Sequence, residues 1–237
     1  MNLKNWAACV LALMACTQHA FAGRPLASDD AGTAGAGTCQ LESWVEHAGS
    51  NRSLIAAPAC GIAQGMELGL EYALPHPRDV LRATGGLALK WVPESWRAET
   101  RAGALNFGLK LSASFKRPAG DAWRGADTGL LALATLEPAE AWMVHVNLGA
   151  ARDRNSGTTA SLLNVAIVWT LHADIVLFAE NQANTRRSVF GGTLNNVGAR
   201  WWLTQDRFGL DLTASREAGA ASGTSWTLGF GWYGLEV

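Results

Sequence analysis

The sequence predicts an all-β fold, an antiparallel up-and-down barrel crossing an outer membrane with about twelve strands, ten being the rival count. Three observations predict it. From Cys39 to the C-terminus, segments of roughly ten residues alternate between apolar side chains and polar or small ones. An export signal precedes them. No stretch of the mature chain reaches the ~18 consecutive apolar residues of a membrane-crossing helix, and a mean hydropathy of +0.05 describes a chain that is mildly apolar throughout.

Residues 1–22 read as the signal peptide, with Lys4 as the positive start, Trp6 to Ala15 as the apolar core, and Ala20, Phe21 and Ala22 as an A-x-A cleavage site. A buried N-terminal helix and a lipoprotein signal ending at Cys16 are the competing readings. Cleavage after Ala22 removes Cys9 and Cys16 and leaves Cys39 and Cys60 in an oxidising compartment. Two cysteines allow one disulfide, which would close the first hairpin and contribute roughly 3 kcal/mol on the chain-entropy model; free thiols are the other reading. With no C-x-x-C pair and no four-ligand spacing, neither metal nor cofactor is expected.

Residues 23–37 are polar and turn-rich, unsuited to crossing a membrane, and read as a periplasmic segment or a lumen plug. Arg24, Asp29 and Asp30 either pair with lumen charges such as Glu67 or Lys110, making a plug, or belong to a solvated tail. Residues 38–237 form one barrel domain. Turn clusters divide them into strands near 38–47, 52–60, 65–74, 83–92, 102–115, 127–136, 140–150, 159–170, 173–182, 190–203, 206–215 and 223–235. The segments at 52–60 and 127–136 alternate poorly, which keeps ten strands open.

Parity then assigns the faces. From Arg207 to Ser215, Phe208, Leu210, Leu212 and Ala214 share one side and Asp211 and Thr213 the other. An ionised aspartate between leucines needs two solvents, lipid outside and a wet lumen inside. The same rule turns Leu68, Leu70 and Tyr72 outward and Glu67 and Glu71 inward. It places Phe107 and Leu111 outward against Lys110, and Trp142, Val144, Val146 and Leu148 outward against His145 and Asn147. Glu180, Arg200 and Asp211 join the lumen set. Acids and bases together suggest hydrogen-bonded ion pairs crossing the interior. Trp91, Trp142, Trp169, Trp201, Trp202 and Trp232 stand near strand ends and are expected in the interfacial girdles, because an indole has an apolar body and one polar atom.

Catalytic signals are weak. His145 reads first as a hydrogen-bonded lumen histidine. His172 and Asp174 would share a strand face, but no nucleophile accompanies them, and there is no G-x-S-x-G elbow, P-loop or H-E-x-x-H helix. The chain is therefore expected not to be an enzyme, and a net charge of −1 offers no footprint for nucleic acid.

Arg24, Pro25, Leu26, Ser28, Asp29, Asp30, Ala31 and Gly32, followed by Gly37, Thr38, Cys39, Gln40, Leu41 and Glu42, resemble the start of the outer-membrane proteins grouped under the meta-pathway of phenol degradation. Shorter matches run through Leu54 to Cys60, His145 to Gly149, Glu180, Gly198 to Trp202, and Leu210 with Asp211. The resemblance spans nearly all of the mature chain. Ser28 stands where the family has threonine, and Val237 closes the chain where an aromatic residue is common. The resemblance implies a monomeric outer-membrane barrel, in contact with lipid and the barrel assembly machinery, acting as a passive channel for small hydrophobic or aromatic molecules. A structural or envelope-interaction barrel with a closed lumen is the alternative.

Overall fold

The computed structural model describes residues 26, 28–185, 193–217 and 223–237. The strands are β1 (Thr38–Ala48), β2 (Asn51–Ala63), β3 (Met66–His76), β4 (Leu81–Trp91), β5 (Ala98–Thr100), β6 (Gly103–Pro118), β7 (Arg124–Ala139), β8 (Trp142–Asp153), β9 (Thr159–His172), β10 (Ile175–Asn184), β11 (Thr193–Thr204), β12 (Phe208–Glu217) and β13 (Thr224–Glu236). Each long strand pairs antiparallel with the next in sequence. Pairing of β4 with β6 and of β1 with β13 closes the sheet into a twelve-stranded barrel. The short β5 is an addition the sequence pattern did not announce; it pairs only with the start of β6, beside a 3-10 turn at Glu94–Trp96.

Alternation fixes the register because a one-residue slip would exchange the two faces. Around the outer wall stand Leu54, Leu70, Leu111, Leu148, Leu212 and Leu228, with Leu148 60% and Leu228 64% exposed. Their strand neighbours inside are buried: Asn147 is 0% exposed, Asp211 5% and Thr213 4%. A soluble barrel would turn the apolar face inward. Here an apolar exterior surrounds a polar interior, the arrangement that only a lipid surround rewards.

The two weakly alternating segments are full strands. In β2, Ala56, Ala57, Pro58 and Ala59 offer little polarity contrast, so the pattern is faint although the ladder to β1 runs unbroken from Cys39 opposite Cys60 to Ala48 opposite Asn51. In β7 the inward side carries Leu131 and Leu133 among polar residues, and Leu133 is 1% exposed. Its period is masked because both faces are apolar there. Cys39 and Cys60, direct partners across this ladder, form a disulfide.

The start of β1 and the end of β13 lie at the same end of the barrel as the turns at residues 64–65, 140–141 and 173–174. Short turns mark the periplasmic side in such barrels. Trp91, Trp142, Trp169, Trp201 and Trp232 face outward near that rim, and the rings of Trp142 and Trp169 stack at 5.3 Å. Trp202 departs from the expected girdle. It follows outward-facing Trp201, so the pleat turns it inward, where it is 3% exposed and packs with Val168, Val176 and Phe178. Position near a strand end suggested an interface, and parity overrides position.

Candidate functional site: the barrel lumen

Leu26 and residues 28–37 lie in the interior, and the segment from Ser28 binds side chains from most of the barrel wall. At one side the Ser28 backbone N–H and hydroxyl both donate to Glu180 Oε2 on β10, at 2.8 and 2.7 Å. The Asp29 N–H donates to Asn147 Oδ1 on β8, and the Asn147 amide returns a bond to the Asp29 carbonyl. The Ala31 N–H donates to Thr135 Oγ1 on β7. At the opposite wall the Ala34 N–H donates to Glu67 Oε2 on β3, and Ala36 bridges Gly61 on β2. The segment is a strap fastened at both sides.

Its carboxylates meet the lumen cations. Lys110 Nζ on β6 lies 2.6 Å from Asp29 Oδ2, and Lys90 Nζ on β4 lies 3.0 Å from Asp30 Oδ1 and 3.5 Å from Asp29 Oδ1. Asp30 and Lys90 are 6% and 3% exposed, so Asp30 would be a costly buried charge without Lys90. Burial pushes the Asp30 carboxyl up to about 7, against the pull of Lys90. Asp29 is also stripped of water, but Lys110 and Lys90 together hold it below the ordinary carboxylate range.

Gly61 shows how closely the strap docks. A Cβ there would collide with the carbonyl oxygens of Ala34 and Gly35, so only glycine admits the strap's backbone against β2. His145, 2% exposed, bonds through Nδ1 to Thr135 Oγ1 at 2.9 Å, which ties it to the hydroxyl that receives Ala31. His172 and Asp174 do not share a strand: β9 ends at His172, and Asp174 lies in the exposed turn beyond it, 3.6 Å from the imidazole.

A second cluster lies on the wall where β1 meets β13. Arg200 donates from Nε and Nη2 to the two carboxylate oxygens of Asp211, at 2.6 and 2.8 Å. Its guanidinium lies 4.9 Å from the Trp202 ring and 5.1 Å from the Tyr233 ring, and the Tyr233 hydroxyl donates to Glu42 at 2.5 Å. This knits β1, β11, β12 and β13 from inside. Glu180 additionally accepts from Asn196 and Gln182.

Of the residues singled out in the sequence, Glu67, Lys110, Asn147, Glu180, Asp29 and Asp30 thus meet at the strap, with His145 one bond behind, while Arg200 and Asp211 meet in the second cluster. Glu71 lines the lumen without joining either. Arg24 lies outside the described residues. Sequence reading missed Lys90, Glu42, Thr135 and Tyr233, although the parity that turned Lys110 and Asp211 inward applies to them equally. The strap divides the interior into a chamber of about 380 Å³ toward the far end, lined by Trp44, Glu71, Lys110 and Leu162, and one of about 450 Å³ toward the terminal end, lined by Gln64, Arg97, Glu137 and Met143.

Fold and lumen together define the class: a closed outer-membrane-type β-barrel with a polar interior occupied by its own N-terminal segment. The chain belongs to the family described as "Uncharacterised conserved protein UCP029691", whose pattern matches residues 9–231. That description names no substrate and no pathway. No curated protein matches the sequence. Among solved structures the KdgM porin resembles it with a TM-score of 0.61 at 10% identity, over 81% of this chain and 98% of the porin. The COG4313 outer membrane channel from Pseudomonas putida F1 gives 0.51 at 12% identity, over 84% and 96%. Outer membrane phospholipase A from Escherichia coli gives 0.50 at 12% identity, over 86% and 93%. Channels and an enzyme share this fold, so the fold alone does not choose between them.

Proposed function

We propose that the protein is an outer-membrane channel for small molecules whose resting lumen is plugged by the strap of residues 28–37. The observation that carries this reading is the strap: a dispensable-looking terminal segment, not a wall element, fills the middle of an otherwise hollow barrel and leaves a chamber on each side. Twelve strands enclose more room than the eight that side chains alone can fill. The porin and channel among the structural neighbours support the same reading, and the resemblance to the meta-pathway proteins supplies its finer part, that the permeants are hydrophobic or aromatic. The phospholipase does not carry over. The hydroxyl that His145 bonds, Thr135 Oγ1, accepts from the Ala31 N–H of the strap.

The test uses asymmetric vesicles with a lipopolysaccharide outer leaflet, which slows apolar solutes. The full-length protein should admit a small aromatic alcohol faster than protein-free vesicles do, and deletion of residues 24–32 should increase the rate further. Equal rates in all three would contradict a channel. The tight lumen ion pairs favour a second reading, a structural barrel that stays closed, and that result would support it.

A further inference from the structure

Lys90 and Lys110 are direct partners across the β4–β6 ladder, two cations side by side on the inward face. Like charges placed opposite one another oppose strand pairing unless an anion lies between them. Beside them on the wall stands Glu67, the cross-strand partner of Lys90 on β3. The remaining charge is met by Asp29, which reaches both ammonium groups, and by Asp30. These two belong to the strap and not to the barrel. With the strap withdrawn, the two lysines keep Glu67 as their one cross-strand carboxylate, and that site opens into the chamber of about 380 Å³.

We propose that Lys90 and Lys110 form a binding site for small molecules with one carboxylate, and that Asp29 occupies it as an internal stand-in for that ligand. An entering carboxylate takes the place of the Asp29 side chain between the two ammonium groups, and its apolar body lies against Leu131, Leu162 and Trp44, which line the same chamber. Glu71 and Asp127 line it as well. They repel a second negative charge on the ligand, so the site selects a monocarboxylate over a dicarboxylate. Competition between ligand and Asp29 for the same cations couples binding to release of the strap. The proposal deepens the channel reading and rests on it for its physiological meaning, but binding is measured apart from conduction so that each can fail separately.

The probe is benzoate, titrated calorimetrically into the detergent-solubilised full-length barrel, with benzyl alcohol as the uncharged control and phthalate as the dicarboxylate. Asp29→Asn with Asp30→Asn removes the internal competitor and should tighten benzoate binding by about tenfold or more, because apparent affinity falls with the fraction of sites already occupied. Adding Lys110→Met to that background should abolish the gain, and a retained shift in gel mobility on boiling establishes that each variant is folded. Benzyl alcohol should show no such dependence, and phthalate should bind more weakly than benzoate. Benzoate binding unaffected by either set of substitutions, or matched by benzyl alcohol, would overturn the site even if the barrel conducts. Binding as expected in a barrel that admits nothing would uphold the site and overturn the channel.

Discussion

At the scale of single residues, the lumen is held by charges that burial makes interdependent. Removing one member of a buried pair strands the other, at a cost of about 3–5 kcal/mol. Arg200→Ala leaves Asp211 without its two-pronged donor and Glu42 with a weakened neighbour, and it should lower the unfolding midpoint in detergent well below that of an exposed control such as Arg97→Ala. An unchanged midpoint would show that water replaces the guanidinium. The strap's own pH dependence follows from its two aspartates. Asp30 binds its proton more tightly docked than free, so docking weakens as pH rises from the ordinary carboxylate range through about 7. Asp29 binds its proton less tightly when docked, so docking weakens again as pH falls below that range. Conductance should therefore pass through a minimum in mild acid. A flat profile between pH 4 and 8, by the rule that docking follows proton binding, would remove Asp30 from the latch.

At the scale of elements, parity within a strand was the legible signal. It placed Glu67, Lys110, His145, Asn147 and Asp211 on the buried side while Leu70, Leu111, Leu148 and Leu212 face out. It was faint where side chains lack contrast, as in the alanines of β2, and where Leu131 and Leu133 make both faces of β7 apolar. Position near a strand end was the weaker guide, and it misled at Trp202. Sequence spacing contains nothing that reveals β5 or the reach of Asp29 to Lys90, although inward parity offered Lys110 as a lumen partner for the strap's acids, because which cation meets which acid depends on which strands lie across the lumen. The pairing of Cys39 with Cys60 was accessible, since these are the only two cysteines beyond the segment read as an export signal. Replacing both with serine should cost roughly 3 kcal/mol in the unfolding free energy, measured by denaturant titration in detergent; a loss near zero would place the constraint in the closed barrel itself. Gly61 tests strap and wall together. Gly61→Val puts side-chain atoms where the Ala34 and Gly35 carbonyls lie, so it should raise conductance while the barrel remains folded. If conductance stays at the wild-type level, the strap is not held at β2.

At the scale of the whole molecule, the barrel reverses the usual division of a protein into apolar core and polar surface. Its outside is apolar, its inside carries two ionic clusters, and its N-terminal strap converts a hollow cylinder into two chambers. Closure of β1 on β13 leaves no open edge, so the barrel should resist detergent at room temperature and migrate faster on a gel unboiled than boiled. Equal mobility would argue against a closed barrel. The central claim is that the strap is a movable plug in a channel. Single-channel recording in planar bilayers, comparing the full-length protein with one lacking residues 24–32, tests it most directly. The account expects brief or small openings from the full-length protein and a stable, larger conductance from the deletion; identical traces from two folded barrels would contradict it.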